Sequence, residues 1–253
     1  MNRSTVVAVC GKGGVGKTTL AALLARLLRE DGKRRVLVVD ADPAVGLGMA
    51  LRIFPPRTVN DVRKEIISAV REHAADQVDL AASVDYKMME ILEEQGNLAF
   101  LSVGRPEEEG CYCQLNTLLR EAIESLSSHF DLTLIDAEAG VEQVNRRVMR
   151  SVSHLLLVSD VTAKGLRVAE SIREVAEEAV DYRKLGLVVN RVRDPAEARR
   201  VAESTSLPLL GFLPEDETVR EMDASAGNFL EIPSCPALEA ARECLIESGF
   251  LPS

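Results

Sequence analysis

The residue types that could carry chemistry are concentrated in one stretch, Gly11-Lys12-Gly13-Gly14-Val15-Gly16-Lys17-Thr18-Thr19. Glycines at this density let successive backbone N–H groups turn inward around phosphate oxygens, and a helix starting at the end of the stretch adds its positive pole. Lys17 would then reach the β- and γ-phosphates, and the Thr18 hydroxyl would complete the shell of a Mg²⁺ ion. The chemistry implied is binding of a nucleotide's phosphates with Mg²⁺ and phosphoryl transfer.

Such a loop functions only between a strand and a helix, and the flanks meet that requirement. Thr5 to Cys10 is a short apolar run, and from Leu20 to Glu30 leucines recur at helical spacing, at positions 20, 23, 24, 27 and 28. Two further apolar runs end in carboxylates: Arg35 to Val39 leads to Asp40, and Phe130 to Ile135 leads to Asp136. Continuous apolar runs suit central parallel strands covered on both faces, and ligands bind at the carboxyl ends of such strands. Asp136 is therefore expected to anchor Mg²⁺ through water, and Asp40 to assist the metal or the water network. Asp42, just beyond the strand in Asp40-Ala41-Asp42-Pro43, is expected to position the attacking water. The plainer alternative is that these three are acidic strand-end caps facing solvent.

Strand and helix alternate along almost the whole chain, which predicts an α/β fold with a doubly wound, mainly parallel sheet and helices on both faces. Residues 1–253 are expected to form a single phosphate-loop ATPase domain. Residues 51–96 read as mainly helical, and Leu207 to Leu213 as an edge-like strand containing Pro208. The 253 residues are 46% hydrophobic and 28% charged, an ordinary soluble balance, with a formal charge of −10. That charge argues against a nucleic-acid partner and gives no help to membrane binding. No apolar run approaches about 18 residues, and the first strand follows the N-terminus with no basic leader, so a cytoplasmic location is expected.

Five cysteines are present, and only Cys111 and Cys113 are closely spaced. Two thiolates this near each other can bind a soft divalent ion, but they supply half of the four ligands that Zn²⁺ prefers. A two-fold axis beside a 111–113 loop would bring two pairs together. The alternative is that they are unrelated free thiols. Cys10, Cys235 and Cys244 have no paired spacing and read as core or surface thiols, while His73, His129 and His154 are isolated.

The additional lysine of the loop has no counterpart in the requirement for a single terminal lysine. Lys12-Gly13-Gly14-Val15-Gly16-Lys17-Thr18 resembles the deviant Walker A loop of the MinD/Mrp/ParA class of dimerising ATPases. The resemblance extends through Asp40-Ala41-Asp42-Pro43, Asp136 and Asn190-Arg191 to Pro214. It implies that Lys12 reaches the nucleotide of the partner in a homodimer, that Asn190, followed by Arg191, recognises the base, and that Pro214 borders it.

Gly104-Arg105-Pro106-Glu107, Gly110-Cys111-Tyr112-Cys113 and Asp136-Ala137-Glu138-Ala139-Gly140-Val141-Glu142 together resemble a narrower group. These are the CooC/AcsF-type ATPases that mature nickel-containing carbon monoxide dehydrogenase or acetyl-CoA synthase. The resemblance implies that Cys111 and Cys113 bind Ni²⁺, or Zn²⁺ in its place, between two subunits, with one of those enzymes as client. Gln143 stands where some members have histidine. Other readings of the same residues are an iron–sulfur scaffold, a partition or division switch on DNA or membrane, and a passive metal store.

Overall fold

The computed structural model describes residues 4–71, 77–105, 113–137 and 148–251. Its strands are β1 (Thr5–Gly11), β2 (Val36–Asp40), β3 (Glu93–Gln95), β4 (Leu98–Ser102), β5 (Leu132–Asp136), β6 (Ser151–Ser159), β7 (Asp181–Val192) and β8 (Leu209–Pro214). They form one sheet in the order β3-β4-β2-β5-β1-β6-β7-β8. All neighbours are parallel except β3 and β4.

The helices are α1 (Lys17–Asp31), α2 (Gly46–Leu51), α3 (Val59–Arg71), α4 (Gln77–Glu90), α5 (Cys113–Ser127), α6 (Ala163–Ala179), α7 (Pro195–Ser204), α8 (Glu217–Ala224) and α9 (Pro236–Glu247). A 3₁₀ turn covers Phe229–Glu231. The sheet separates two hydrophobic cores. On one side Val7, Val9, Val36 and Val38 pack with the leucines of α1 and with Leu238, Ala241 and Leu245 of α9. On the other side Val6, Ala8, Leu37 and Val39 pack with Val62 and Ile66 of α3, Ile123 of α5 and Leu166 of α6. Alternate residues of one strand feed opposite cores, which is why these strands read as unbroken apolar runs.

α1 is buried along most of its length, from Leu20 to Leu28, between the sheet and α9. It ends where Gly32 takes φ +63°, the left-handed conformation that closes helices.

The expectation of a mainly helical 51–96 needs correction at its C-terminal end. Helix covers 59–71 and 77–90 among the described residues, but Glu93–Gln95 are extended and pair antiparallel with β4. The two-residue turn Gly96-Asn97 accounts for this, because Gly96 at φ +66° folds the chain back into a hairpin. The short β3, with Glu93 and Glu94, covers what would otherwise be the open edge of β4. β8 forms the opposite edge, and Pro208 falls just before it.

Register brings the chemistry together. Asp40 at the end of β2 lies directly across from Asp136 at the end of β5, and Asp136 lies across from Val9 of β1. Both carboxylates thus stand beside the strand that delivers the phosphate loop.

Phe100 on β4 is fully buried and its ring lies under Gly48 of α2. Phe100→Ala should lower unfolding stability by about 3–5 kcal/mol. In urea titration the midpoint should fall with the slope unchanged, which marks loss of packing rather than of compactness.

Candidate functional site

The loop between β1 and α1 holds its shape through backbone that only glycine adopts easily. Gly14 has φ +79° and Gly16 φ +96°, and a Cβ on Gly16 would lie 2.1 Å from the Asn190 amide nitrogen. Val15 is buried, and its carbonyl accepts a hydrogen bond from Asn190 Nδ2 at 2.9 Å. The Asn190 side chain, expected at the base, thus sits against the loop itself, while its Oδ1 accepts from the Arg191 N–H at 2.9 Å.

A bulge explains how Asn190 arrives there. The β7–β8 register shifts between Val189 and Val192, and Arg191 takes φ +60°, rare for a side-chain-bearing residue. Arg191 itself is exposed, and Pro214 ends β8 opposite Val192.

Lys17 is buried at the start of α1, and its Nζ donates to the Lys12 carbonyl at 3.4 Å. Thr18 Oγ1 donates to Asp136 Oδ2 at 2.7 Å. The other oxygen, Asp136 Oδ1, is buried with no hydrogen-bond partner. An orphaned carboxylate oxygen beside a threonine hydroxyl suits a hydrated Mg²⁺, so the donors present fit that ion. Bound there, Mg²⁺ would neutralise charge developing on the phosphates. Thr19 Oγ1 makes a long contact of 3.5 Å to Asp223 Oδ2 of α8, a residue for which the sequence carried no signal.

Asp40 is fully buried, and both of its oxygens engage backbone. Oδ1 accepts from the Asp42 N–H at 3.2 Å and Oδ2 from the Gly48 N–H at 3.0 Å. It therefore ties the loop after β2, and with it α2, to the carboxyl edge of the sheet. Asp42 projects from that loop, and its Oδ1 accepts from the Ala44 N–H at 2.8 Å. Arg105, beyond the end of β4, donates from Nε to the Pro43 carbonyl at 2.9 Å.

Burial dominates the electrostatics here. Desolvation pushes Asp136 up to about 7, and the nearby Asp40 charge adds to this, while the Thr18 hydrogen bond works against it. Asp40 is pushed up to about 6, again chiefly by burial, with the Gly48 and Asp42 N–H groups opposing. Burial raises the Cys10 thiol to about 12, so it is a neutral core group at physiological pH. Cys235 and Cys244 are also buried.

Lys12 is half-buried in the loop, and its ammonium has no ion-pair partner among the described residues. Cys111 and the side chain of Cys113 lie outside the described residues, as do Glu138 to Arg147. Among the described residues no group of three or more His, Cys, Asp or Glu could hold a metal ion, and no helix is long and apolar enough to cross a membrane.

A family profile for the CobQ/CobB/MinD/ParA nucleotide binding domain matches residues 6–229. The chain belongs to this family. Its deviant Walker A loop and family membership make this CobQ/CobB/MinD/ParA-type protein a Mg²⁺-dependent ATP hydrolase. An uncharacterized ATP-binding protein of Methanocaldococcus jannaschii is 35% identical over 225 residues, covering 86% of this chain and 87% of that protein. The carbon monoxide dehydrogenase accessory protein CooC of Rhodospirillum rubrum is 26% identical over 242 residues, covering 90% and 91%. The crystal structure of the cell division ATPase MinD from Pyrococcus furiosus superposes with a TM-score of 0.68 at 25% identity, covering 98% and 99%.

The raised carboxylates have a consequence for the metal-free, nucleotide-free protein. Their folded pKa values lie above the ordinary 3.8, so the fold retains protons that the unfolded chain releases. The stability this confers is complete below about pH 4 and is lost as pH rises through 6 to 7. Asp136→Asn should flatten that decline in thermal melts across pH 4–8. The same substitution should abolish the additional stabilisation that Mg²⁺ gives to the ATP-bound protein.

Proposed function

We propose that this ATPase is a nucleotide-controlled switch whose ATP-bound copies pair across the face carrying the phosphate loop. The observation that carries the reading is the pair of lysines in one short loop. Lys17 is buried and directed back onto the loop carbonyl, whereas Lys12 carries an ammonium with no ionic partner among the described residues. An ammonium needed inside one active site would be built like Lys17. One held ready for a second phosphate group would be left like Lys12, and it would supply charge to the transition state in the partner copy.

The backbone N–H groups of Gly13 to Thr19 would bind the phosphates, with Lys17 set against the β- and γ-phosphates. Thr18 and Asp136 would hold Mg²⁺. Asp42 would orient the attacking water, since its carboxylate stands on a loop anchored to the same sheet edge. Asn190 and Pro214 would border the nucleoside, Asn190 by fixing the loop at Val15 and Pro214 from the end of β8. Loss of the γ-phosphate would remove what Lys12 binds, and the pair would separate. This is a partition- or division-type switch in its mechanics, and the likeness to MinD supports it.

A second reading specifies the output. The Cys111-X-Cys113 spacing and the 26% identical CooC support nickel as cargo, held by the two cysteine pairs of a dimer and passed to carbon monoxide dehydrogenase or acetyl-CoA synthase. Nucleotide-driven pairing is common to both readings, and metal binding separates them.

With Mg²⁺ and a non-hydrolysable ATP analogue, sedimentation velocity should show a dimer, and with ADP a monomer. Lys12→Gln should bind nucleotide within about threefold of wild type and turn over at least about a hundredfold more slowly. A chain that stays monomeric with the analogue, and a Lys12→Gln variant with wild-type turnover, would refute the switch. Anaerobic titration with Ni²⁺ or Zn²⁺ should give one ion per two chains, abolished by Cys111→Ser with Cys113→Ser. Binding that survives both substitutions would remove the cargo reading and leave the switch intact.

A further inference from the structure

Asp42 stands in a loop, and loops hold a reacting group in place only when something outside them fixes their backbone. Two ties to Asp40 secure the start of the loop and the beginning of α2, at Asp42 N–H and Gly48 N–H. Neither restrains the Asp42 side chain. Its carboxylate is fixed instead at Oδ1, which accepts from the Ala44 N–H at 2.8 Å. Its Oδ2 has no hydrogen-bond partner among the described residues.

The Ala44 N–H belongs to the same peptide unit as the Pro43 carbonyl, and a peptide unit is a rigid plane. The bond is trans, since there is no cis peptide among the described residues. Its oxygen and hydrogen therefore point to opposite sides. The oxygen accepts from Arg105 Nε at 2.9 Å, and the hydrogen is donated to Asp42. A guanidinium, a peptide plane and a carboxylate thus form one continuous hydrogen-bonded chain. Rotating the plane would break both bonds together. A cation on the carbonyl also polarises the peptide and strengthens what its N–H donates.

Arg105 is well placed for this role by the sheet. It follows β4, whose end is fixed to β2 by the Val103 N–H donating to the Asp40 carbonyl at 2.9 Å. The strand that presents Arg105 is therefore tied to the residue that anchors the Asp42 loop. Arg105 is exposed, so its hydrogen bond to Pro43 is not a requirement of core packing.

We propose that Arg105 is a positioning residue for ATP hydrolysis, acting through the Pro43–Ala44 peptide to hold the Asp42 carboxylate in the orientation that serves the attacking water. The inference rests on the role given to Asp42 above. Arg105 touches no phosphate and no reacting atom in this scheme. Its removal should change the chemical step and leave nucleotide binding alone.

The test is steady-state ATPase kinetics, with nucleotide affinities measured separately by fluorescent-analogue titration, on Arg105→Ala, Arg105→Lys, Arg105→Gln and Asp42→Asn. Arg105→Ala should lower kcat about tenfold, with KM and the ATP and ADP dissociation constants within about twofold. Arg105→Lys should recover most of the loss, because an ammonium can still donate to the carbonyl, and Arg105→Gln should fall between. A kcat for Arg105→Ala within twofold of wild type, while Asp42→Asn abolishes turnover, would overturn the role of Arg105 and leave that of Asp42 standing. Full activity in Asp42→Asn would instead overturn the Asp42 assignment, and the proposal with it. A parallel rise in KM and both dissociation constants for Arg105→Ala, not relieved by lysine, would mark a structural or binding role and also overturn it.

Discussion

Two carboxylates and one ammonium are held out of water at the carboxyl edge of a single sheet, and most of the architecture serves to keep them there. Asp40 and Asp136 face each other across β2 and β5, and Lys17 begins α1 beside them. Burial penalises the charged form of a carboxyl group, which is chiefly why both hold their protons more tightly than usual, and at Asp136 the nearby Asp40 charge adds to the effect. The arrangement is stable because it is partly compensated. Backbone N–H groups satisfy Asp40, and the Thr18 hydroxyl satisfies half of Asp136. The uncompensated remainder, one buried carboxylate oxygen, is the part a hydrated cation would complete. A site organised in this way gains stability when its ligands bind, because the cost of burial was met in advance by the two cores on either side.

The parts of this design that rest on local pattern were legible in the amino-acid sequence. The Gly11–Thr19 stretch, the apolar runs ending at Asp40 and Asp136 and the leucine spacing of α1 each report their own structure, because periodicity and strand-end position are local properties. The short α2 and α7 were not read, although α7 carries an Asp194 cap with Pro195 after it and Glu197 donating its N–H back to Asp194. Ten residues of modest hydrophobicity gave too weak a pattern to outweigh their charged face. Glu93 to Gln95 looked like a continuation of helix for a related reason: three polar residues have no period, and their extended state is imposed by β4.

What could not be read at all are contacts between residues far apart in the chain. The resemblance placed Asn190 at the base, and nothing in its neighbourhood indicated that its amide would lie against Val15, 175 positions away, because that depends on a register shift in β7. Thr19 and Asp223 meet across a still longer interval. Arg105 entered only as part of the Gly104-Arg105-Pro106-Glu107 segment that carries the narrower resemblance. Its partner is a backbone carbonyl, and backbone acceptors leave no trace in residue identity.

Sheet order gives these long-range contacts a division of labour. β1 is interior, with β5, β2, β4 and β3 on one side and β6, β7 and β8 on the other. Asp136 reaches the loop from the first side, where Asp42 and Arg105 also stand, and Asn190 reaches it from the second, where Arg191 and Pro214 follow. Under the proposed reading the second side meets the nucleoside, which is the same in ATP and ADP. A contact made there contributes affinity without discriminating between the two states, and a ligand group bound equally in both shifts no equilibrium. Discrimination has to come from the first side, where the γ-phosphate, the metal and the Asp42 loop would meet. That side is also where the structure carries its only chain of hydrogen bonds from an exposed cation to an acidic side chain in the loop, among the described residues. Under that reading the nucleoside side is held by a buried amide and a strand bulge, and the γ-phosphate side by a loop whose backbone is tied to Asp40 and Arg105, so discrimination between the two states depends on the hydrogen bonds that set that loop.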